Sequence, residues 1–305
     1  MGRPSFTQRV VGVDLGGTKI LAGLLDREGT VHDRCEVPTP TGSAEALLAG
    51  IESAVAAVFG DGVDAIGCAI PSVLDRRTGR SLDSTNIPLA GVSLGDRLAT
   101  RFGVPGAVEN DANAAALAEW KHGAGAGVDE LMLLTLGTGV GGGVVLEGAL
   151  FHGWAELGHY VVVADGPPCQ GTCTGRGHLE TLVSGNAADR AAAELWGPGA
   201  TAEQLVDRAG TGADDALAAL ASMGHLLGVG IGSLVNVFGV ELVIVGGGFG
   251  SAAADFLLAP ALEVARREAL PPARAGLRIV KAALGADAGL IGAGLVGFAE
   301  LDGER

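Results

Sequence analysis

Apolar residues gather along the chain in short runs that stop at glycine. Residues 10–13 and 20–25 are aliphatic runs on either side of Asp14-Leu-Gly-Gly-Thr18, which predicts strand, glycine turn, strand. Residues 44–59 carry a helical period, 65–70 read as a strand ended by Pro71, 94–101 as a helix and 106–109 as a strand end. Asn110-Asp111-Ala112 then opens an alanine-rich helix that runs to about Lys121. Gly123-Ala-Gly-Ala-Gly127 reads as the best internal linker, and after it the opening theme returns. Residues 131–136 are apolar, Gly137-Thr138-Gly139 is the turn, and 144–146 is the return strand. Two such hairpins on either side of a linker predict a duplicated fold. Residues 242–245, followed by Gly246-Gly-Gly-Phe-Gly250, make a third strand–glycine junction. The uncharged stretch 226–240 is fifteen residues long with Gly228, Gly230, Gly232 and Asn236 inside. That is too short and too polar to span a bilayer, so it reads as a buried helix feeding a buried strand. Strands alternate with helices throughout, which makes the class α/β.

Composition narrows the function classes. Glycine supplies 52 of 305 residues, more than twice the usual ~7% share. It shows no three-residue period, so collagen is excluded and tight turns must be abundant. Hydrophobic residues at 48% rule out intrinsic disorder. Twenty basic against 35 acidic residues give a net charge of −15, and the only lysines are Lys19, Lys121 and Lys281. Neither nucleic acid nor a membrane is an expected partner. The first nine residues hold no apolar stretch, and Phe6 stands where a myristoylation signal needs Ser or Thr. With four cysteines and no visible signal peptide, the chain reads as cytoplasmic rather than disulfide-bonded. Cys35 and Cys68 read as inert core residues in apolar, strand-like runs.

Strand-to-glycine turns suit phosphate, because backbone N–H groups converge there without Cβ atoms in the way. No lysine lies in a Gly-x-x-x-x-Gly-Lys-[Ser/Thr] loop, which excludes the P-loop. Gly137-Thr-Gly-Val-Gly-Gly142 and Gly292-Ala-Gly-Leu-Val-Gly297 satisfy the dinucleotide pattern. The first is followed by a strand rather than the helix that fold requires, so it does not indicate NAD. His159, Cys169, Cys173 and His178 are four donors suited to tetrahedral zinc, with ordinary burial as the alternative. Asp14 alone reads as a turn residue, and Asp111 alone as a carboxylate stabilising a helix N-terminus.

Taken in order, the blocks from Asp14-Leu-Gly-Gly-Thr-Lys19 onward resemble the ROK family of sugar kinases and sugar-responsive repressors. The others are Glu109-Asn-Asp-Ala-Asn113, Leu136-Gly-Thr-Gly-Val-Gly-Gly-Gly143, Glu156-Leu-Gly-His159, Gly175-Arg-Gly-His-Leu-Glu180 and Val243-Ile-Val-Gly-Gly-Gly248. The resemblance implies a two-domain actin-like ATPase/sugar-kinase (ribonuclease H-like) fold with an interdomain cleft. An N-terminal α/β domain would cover 1–121 and a C-terminal one 122–289, and a helix over about 290–305 would pack back on the first. It implies an ATP-dependent hexose kinase, glucokinase before all, acting on the sugar 6-hydroxyl. Fructose, mannose or N-acetylmannosamine as substrate, or polyphosphate as donor, are the alternatives. A sugar-sensing regulator is the alternative of another class; the short stretch before Val10 leaves no room for its DNA-binding segment.

The resemblance also assigns roles. Asp111 is the general base, a task for a carboxylate because phosphoryl transfer releases a hydroxyl proton late. A helix dipole lowering its pKa would be tolerable there. Asn110, Glu156, His159 and Glu180 would hold sugar hydroxyls, with a solvated helix residue as the plain reading of Glu180. Asp14 would orient Mg²⁺, and Gly16, Gly17, Thr18, Gly137, Thr138 and Gly139 would meet ATP phosphates. Gly246, Gly247 and Gly248 would line the adenosine site. His159, Cys169, Cys173 and His178 would hold a structural Zn²⁺, although the family usually has Cys-x-Cys and a third cysteine. Two residues are therefore inserted between the first pair, and His178 replaces a cysteine. Ser72 stands where the family often has glycine. A homodimer or homotetramer is the expected assembly.

Overall fold

The structure is a computed structural model and describes residues 8–75, 77–83 and 87–303. The N-terminal residues read above for targeting signals, and Glu304 and Arg305 at the end of the last expected helix, lie outside it. The chain runs β1 (Arg9–Leu15), β2 (Lys19–Leu25), β3 (Val31–Pro38), α1 (Ala44–Val58), β4 (Val63–Ile70), β5 (Val73–Asp75), β6 (Arg80–Asp83), α2 (Leu94–Phe102), β7 (Gly106–Asn110) and α3 (Asp111–His122). It continues through β8 (Leu131–Leu136), β9 (Val140–Leu146), β10 (Ala149–Leu150), α4 (Leu179–Val183), α5 (Gly185–Trp196), α6 (Ala202–Gly210) and α7 (Asp214–Phe238). Last come β11 (Leu242–Gly246), α8 (Gly248–Ala252), α9 (Ala254–Glu268), α10 (Pro271–Gly276), β12 (Arg278–Lys281) and α11 (Ala288–Asp302). Two compact units result: one up to Ala118 together with Asp287 onward, the other Glu119–Ala286.

The first unit is built on a five-stranded sheet in the order β3-β2-β1-β4-β7. β1 runs antiparallel to β2 and parallel to β4, which is parallel to β7. Side chains alternate across a sheet, so Val11, Val13 and Leu15 share one face. There they join Leu47, Ile51 and Val55 of α1 and Leu98 of α2 in one core. The in-between positions, Gly12 and Asp14 of β1 and Gly67 of β4, face α11. A Cβ on Gly12 would meet the Leu290 carbonyl, and one on Gly67 would overlap the Ala293 carbonyl. Bare backbone on the sheet therefore lets α11 lie against it. The glycines of the second dinucleotide pattern serve the same interface, since a Cβ on Gly292 would strike the Ala114 carbonyl of α3.

The second unit repeats the plan in the order β10-β9-β8-β11-β12, with β8 antiparallel to β9 and parallel to β11. Its core joins Leu134 and Leu136 of β8 to Leu220, Leu227 and Ile231 of α7 and Leu257 and Ala261 of α9. α7 is the buried helix expected over 226–240 and feeds the buried strand β11, but it starts twelve residues earlier, at Asp214. At 25 residues it is long and apolar enough to cross a membrane by composition, the only such helix among the described residues, yet more than half of its apolar window is buried inside this unit.

Other expectations also shift. β9 begins at Val140, so the turn is shorter than 144–146 implied. Cys68 is fully buried, but Cys35 is only half-buried on β3, an edge strand whose other residues largely face water. Gly123–Gly127 is not a loose linker. Gly123 and Gly125 donate to the Glu119 carbonyl, and the Glu119 carboxylate accepts from the Ala124 N–H at 2.8 Å.

Candidate functional site

In the first unit, β1 delivers Asp14 to the mouth of the glycine turn on the face that α11 covers. A Cβ on Gly289, in the first turn of α11, would overlap the Asp14 carboxylate. Burial first, and the negative charge of Asp111 second, push the Asp14 carboxyl up to about 6 against the pull of Lys19. The turn itself is tied to β3: Thr39 donates from Oγ1 to the Gly16 carbonyl at 2.7 Å and from N to the Thr18 carbonyl at 3.0 Å. Gly17 and Thr18 are left exposed. Lys19 points along the strand to Glu36, 2.9 Å away, rather than over the turn.

β7 delivers Asn110, and α3 begins at Asp111. The helix cap is Asn110, not Asp111: its Oδ1 accepts from the N–H groups of Ala112 and Asn113 at 3.0 and 3.1 Å. That leaves Nδ2, which donates to the Ser72 carbonyl at 3.4 Å, as the Asn110 group able to meet a ligand. Ser72 is buried and hydrogen-bonded through its hydroxyl to Ser81. Below the pair, buried Glu109 accepts from the Asn110 N–H at 2.8 Å and from Asn113 Nδ2 at 3.0 Å. Asp111 accepts from the Ala112 N–H at 2.8 Å, yet burial dominates and raises its pKa. The dipole-lowered value expected from its place on the helix is thus overturned by desolvation.

In the second unit the turn Gly137-Thr138-Gly139 closes β8 on β9, with Gly137 N–H donating to the Gly139 carbonyl at 2.9 Å. Glu180 is not the solvated helix residue that its plain reading required. It is buried, and its Oε2 accepts from the Val140 N–H at 2.9 Å. Gly139 admits this approach only because it lacks a Cβ, which would overlap the same oxygen. Glu156 lies exposed in the loop before His159, with its carbonyl accepting from the His159 N–H at 3.0 Å. Of the third glycine block, Gly247 is pressed against the Leu136 backbone at φ 80°, whereas Gly248 opens on free space.

His159, Cys169, Cys173 and His178 converge so that their donor atoms all lie within 4.8 Å of one another. Tetrahedral zinc, with Zn–S near 2.3 Å and Zn–N near 2.0–2.1 Å, needs donor–donor edges of about 3.3–3.8 Å. Three of the six edges already lie in that range: 3.4 Å between the two Nδ1 atoms, 3.7 Å from Cys169 Sγ to His159 Nδ1, and 3.6 Å from Cys173 Sγ to His178 Nδ1. The donor set therefore fits zinc despite the two inserted residues. Burial first, with Cys173 and Glu180 adding to it, pushes the Cys169 thiol up to about 11. A bound dication reverses that preference, because a coordinating thiol gives up its proton. The loop is held by its own backbone bonds, among them Cys169 N–H to the Gly175 carbonyl at 2.9 Å and Gly177 N–H to the Pro167 carbonyl at 2.8 Å.

Each unit thus gathers part of the predicted set: Asp14, Asn110 and Asp111 in one, the second turn, Glu180 and the four donors in the other. The sequence reading missed Thr39, Glu109 and Gln170. Only Glu109 left a signal, as the first residue of the Glu-Asn-Asp-Ala-Asn block.

The chain is similar to known proteins along nearly its whole length. The sequence profile of the ROK family matches residues 10–297. A glucokinase of Thermotoga maritima is 35% identical over 93% of this chain and 96% of its own length. A ROK family glucokinase from Streptomyces griseus, solved with glucose and AMPPNP, superposes with a TM-score of 0.83 at 34% identity, covering 95% of this chain and 99% of that one. A ROK family transcriptional regulator, a homologue of the Escherichia coli Mlc protein, superposes at 0.86 with 25% identity, covering 98% of this chain and 80% of that one.

Proposed function

The chain belongs to the ROK family, and from that premise we propose that it is an ATP-dependent glucokinase, a phosphotransferase that moves the γ-phosphoryl group of ATP to the 6-hydroxyl of glucose. One observation carries the reading furthest. Two carboxylates, Asp14 and Asp111, stand close enough beside an open glycine turn for the charge of one to raise the pKa of the other. A kinase needs that pair, one member for the metal–phosphate end and one for the hydroxyl end. The Streptomyces griseus glucokinase, which carries glucose and AMPPNP, shares 34% of the sequence over nearly the whole chain.

Asp111 accepts the proton of the 6-hydroxyl as its oxygen bonds to the γ-phosphorus and the bond to ADP breaks. Its raised pKa makes it a better base than an exposed aspartate. Asn110 offers Nδ2 to a neighbouring sugar oxygen, because its Oδ1 is spent on the helix cap. Glu156 accepts from a sugar hydroxyl. His159, whose Nδ1 faces the donor cluster, has Nε2 left for another. Glu180 keeps Oε2 on the Val140 N–H and has Oε1 for a sugar hydroxyl. The N–H groups of Gly17, Thr18, Thr138 and Gly139 serve the phosphates, while those of Gly16 and Gly137 close the two turns on the Lys19 and Gly139 carbonyls at 2.9 Å, and Gly248 gives adenosine an open backbone surface. Asp14 would hold Mg²⁺, which when bound neutralises phosphate charge. His159, Cys169, Cys173 and His178 would hold a structural Zn²⁺ that fixes the loop carrying His159.

ADP release with Mg·ATP across a panel of hexoses, with Asp111→Ala beside the wild type, tests the reading. Turnover on glucose is expected, and the variant should lose it about 10²–10⁴-fold while glucose affinity changes little. Turnover on another hexose alone would move the substrate assignment. Near-normal turnover in the variant would remove Asp111 as the base.

A further inference from the structure

We infer that the metal loop sets the shape of the second glycine turn, with Gln170 and Glu180 as positioning residues that link occupancy of the Cys₂His₂ site to binding of the nucleotide. The inference rests on the reading of Gly137–Gly139 as a phosphate turn.

Gln170 follows Cys169 directly and lies in the stretch that separates the two cysteines. Its Nε2 donates to the Thr138 carbonyl at 3.2 Å. Its Oε1 accepts from Asn186 Nδ2 at 2.7 Å, which fixes which end of the amide faces the turn. The neighbouring carbonyl, that of Gly137, accepts from the Gly185 N–H at 2.7 Å, one residue before Asn186. From the other side Glu180 holds the Val140 N–H through Oε2, while its Oε1 lies 3.8 Å from Cys169 Sγ. The two positioning groups meet over Gly139: a Cβ there would overlap Glu180 Oε2 and lie 3.5 Å from Gln170 Nε2.

A phosphate turn works through its N–H groups, and a carbonyl swung toward the phosphate repels it. The carbonyls of Gly137 and Thr138, the first two of this turn, are both tied back by hydrogen bonds. One of those ties depends on where Gln170 stands. Gln170 is anchored between metal donors, with its carbonyl accepting from the Cys173 N–H at 3.4 Å, and Gly171 and Thr172 beyond it are exposed. A cation on Cys169 and Cys173 fixes both ends of this short loop, and so fixes the amide that holds Thr138. Coupling of this kind is reciprocal: whatever the metal does for nucleotide affinity, the nucleotide does for metal affinity.

The test is calorimetric titration of Mg·AMPPNP, and separately of glucose, into the full chain. The samples are metal-loaded wild type, Gln170→Ala and Asn186→Ala, and wild type and Gln170→Ala stripped of metal. Gln170→Ala at full metal content should bind AMPPNP about 3- to 10-fold more weakly, the loss of one hydrogen bond, with glucose affinity within twofold. Asn186→Ala should move the same way by less. Stripping the metal should weaken AMPPNP binding more in wild type than in Gln170→Ala. Chelator competition should show AMPPNP tightening the metal in wild type by the same factor. Unchanged AMPPNP affinity in metal-loaded Gln170→Ala would overturn the link, and so would equal losses for AMPPNP and glucose. Metal-loaded wild type that took up no AMPPNP would instead sink the phosphate-turn reading, and this inference with it.

Discussion

Asp14 is held where its charge works against the fold. Its carboxyl rises from 3.8 to about 6, mainly by burial and then by Asp111. A carboxyl raised by folding gives stability that is complete below pH 3.8 and is lost as pH climbs through about 6. At pH 7 the ionised group therefore costs about 3 kcal/mol relative to its neutral form. Asp14→Asn should melt higher than wild type at pH 7.5 and nearly with it at pH 4, while turnover collapses. Equal melting of the two at pH 7.5 would show that the charge is not strained. In the wild type, kcat/KM should rise with pH through an acid limb near 6 as Asp14 loses its proton. Lys19→Met should move that limb upward, because Lys19 is the group pulling it down. The identity of Asp14 was legible in the sequence, since an aspartate closing a strand before Gly-Gly-Thr is a local pattern. Its strain was not, because the burial comes from Gly289 and α11, at the other end of the chain.

At the scale of elements, α11 and the metal loop carry the two tests. α11 lies on the sheet because β1 and β4 present Gly12 and Gly67 to its backbone. Gly67→Ala would drive a methyl into the Ala293 carbonyl, an overpacking that should cost about 1–3 kcal/mol and show as a lower denaturation midpoint with an unchanged slope. A variant as stable as wild type would mean the helix sits further from the sheet. The sequence showed glycines in α11 but gave them a dinucleotide spacing by chance. Their packing role became visible only once β4 and α3 lay beneath them. The metal loop was legible through its donor types, and its inserted residues are absorbed by backbone bonds the sequence does not encode locally. Metal analysis should find about one zinc per chain, and Cys173→Ser should lower both zinc content and melting temperature. Full zinc retention in that variant would leave Cys173 outside the ligand set.

Over the whole molecule, both units share one plan, an antiparallel hairpin extended by parallel strands. The hairpins were legible because strand, glycine turn and strand are adjacent in the chain. β3 was only partly legible: Cys35 lay in a strand-like run, but His32, Asp33, Arg34 and Glu36 around it hide the bounds of this edge strand. Least legible was Glu119, a helix residue on the chain's first passage between units, at Ala118–Glu119. Its carboxylate is fully buried and accepts from the Ala124 N–H at 2.8 Å and from the N–H groups of Ala283 and Leu284 at 3.1 and 2.8 Å. Ala283 and Leu284 stand just ahead of the second passage, at Ala286–Asp287. One side chain thus fastens the chain leaving α3 to the chain approaching α11, and it also holds the Gly123–Gly127 turns together. Glu119→Ala would take the acceptor from three N–H groups; exposed Ala283 can turn to water, but half-buried Ala124 and Leu284 should cost about 1–3 kcal/mol each, enough to lower the melting temperature by roughly 5 °C or more. Glu119→Gln keeps the volume and one oxygen but sets an NH₂ group against N–H donors, so its melting temperature should fall between those of the alanine variant and the wild type. If both variants melted with the wild type, the two passages would be held by the backbone alone.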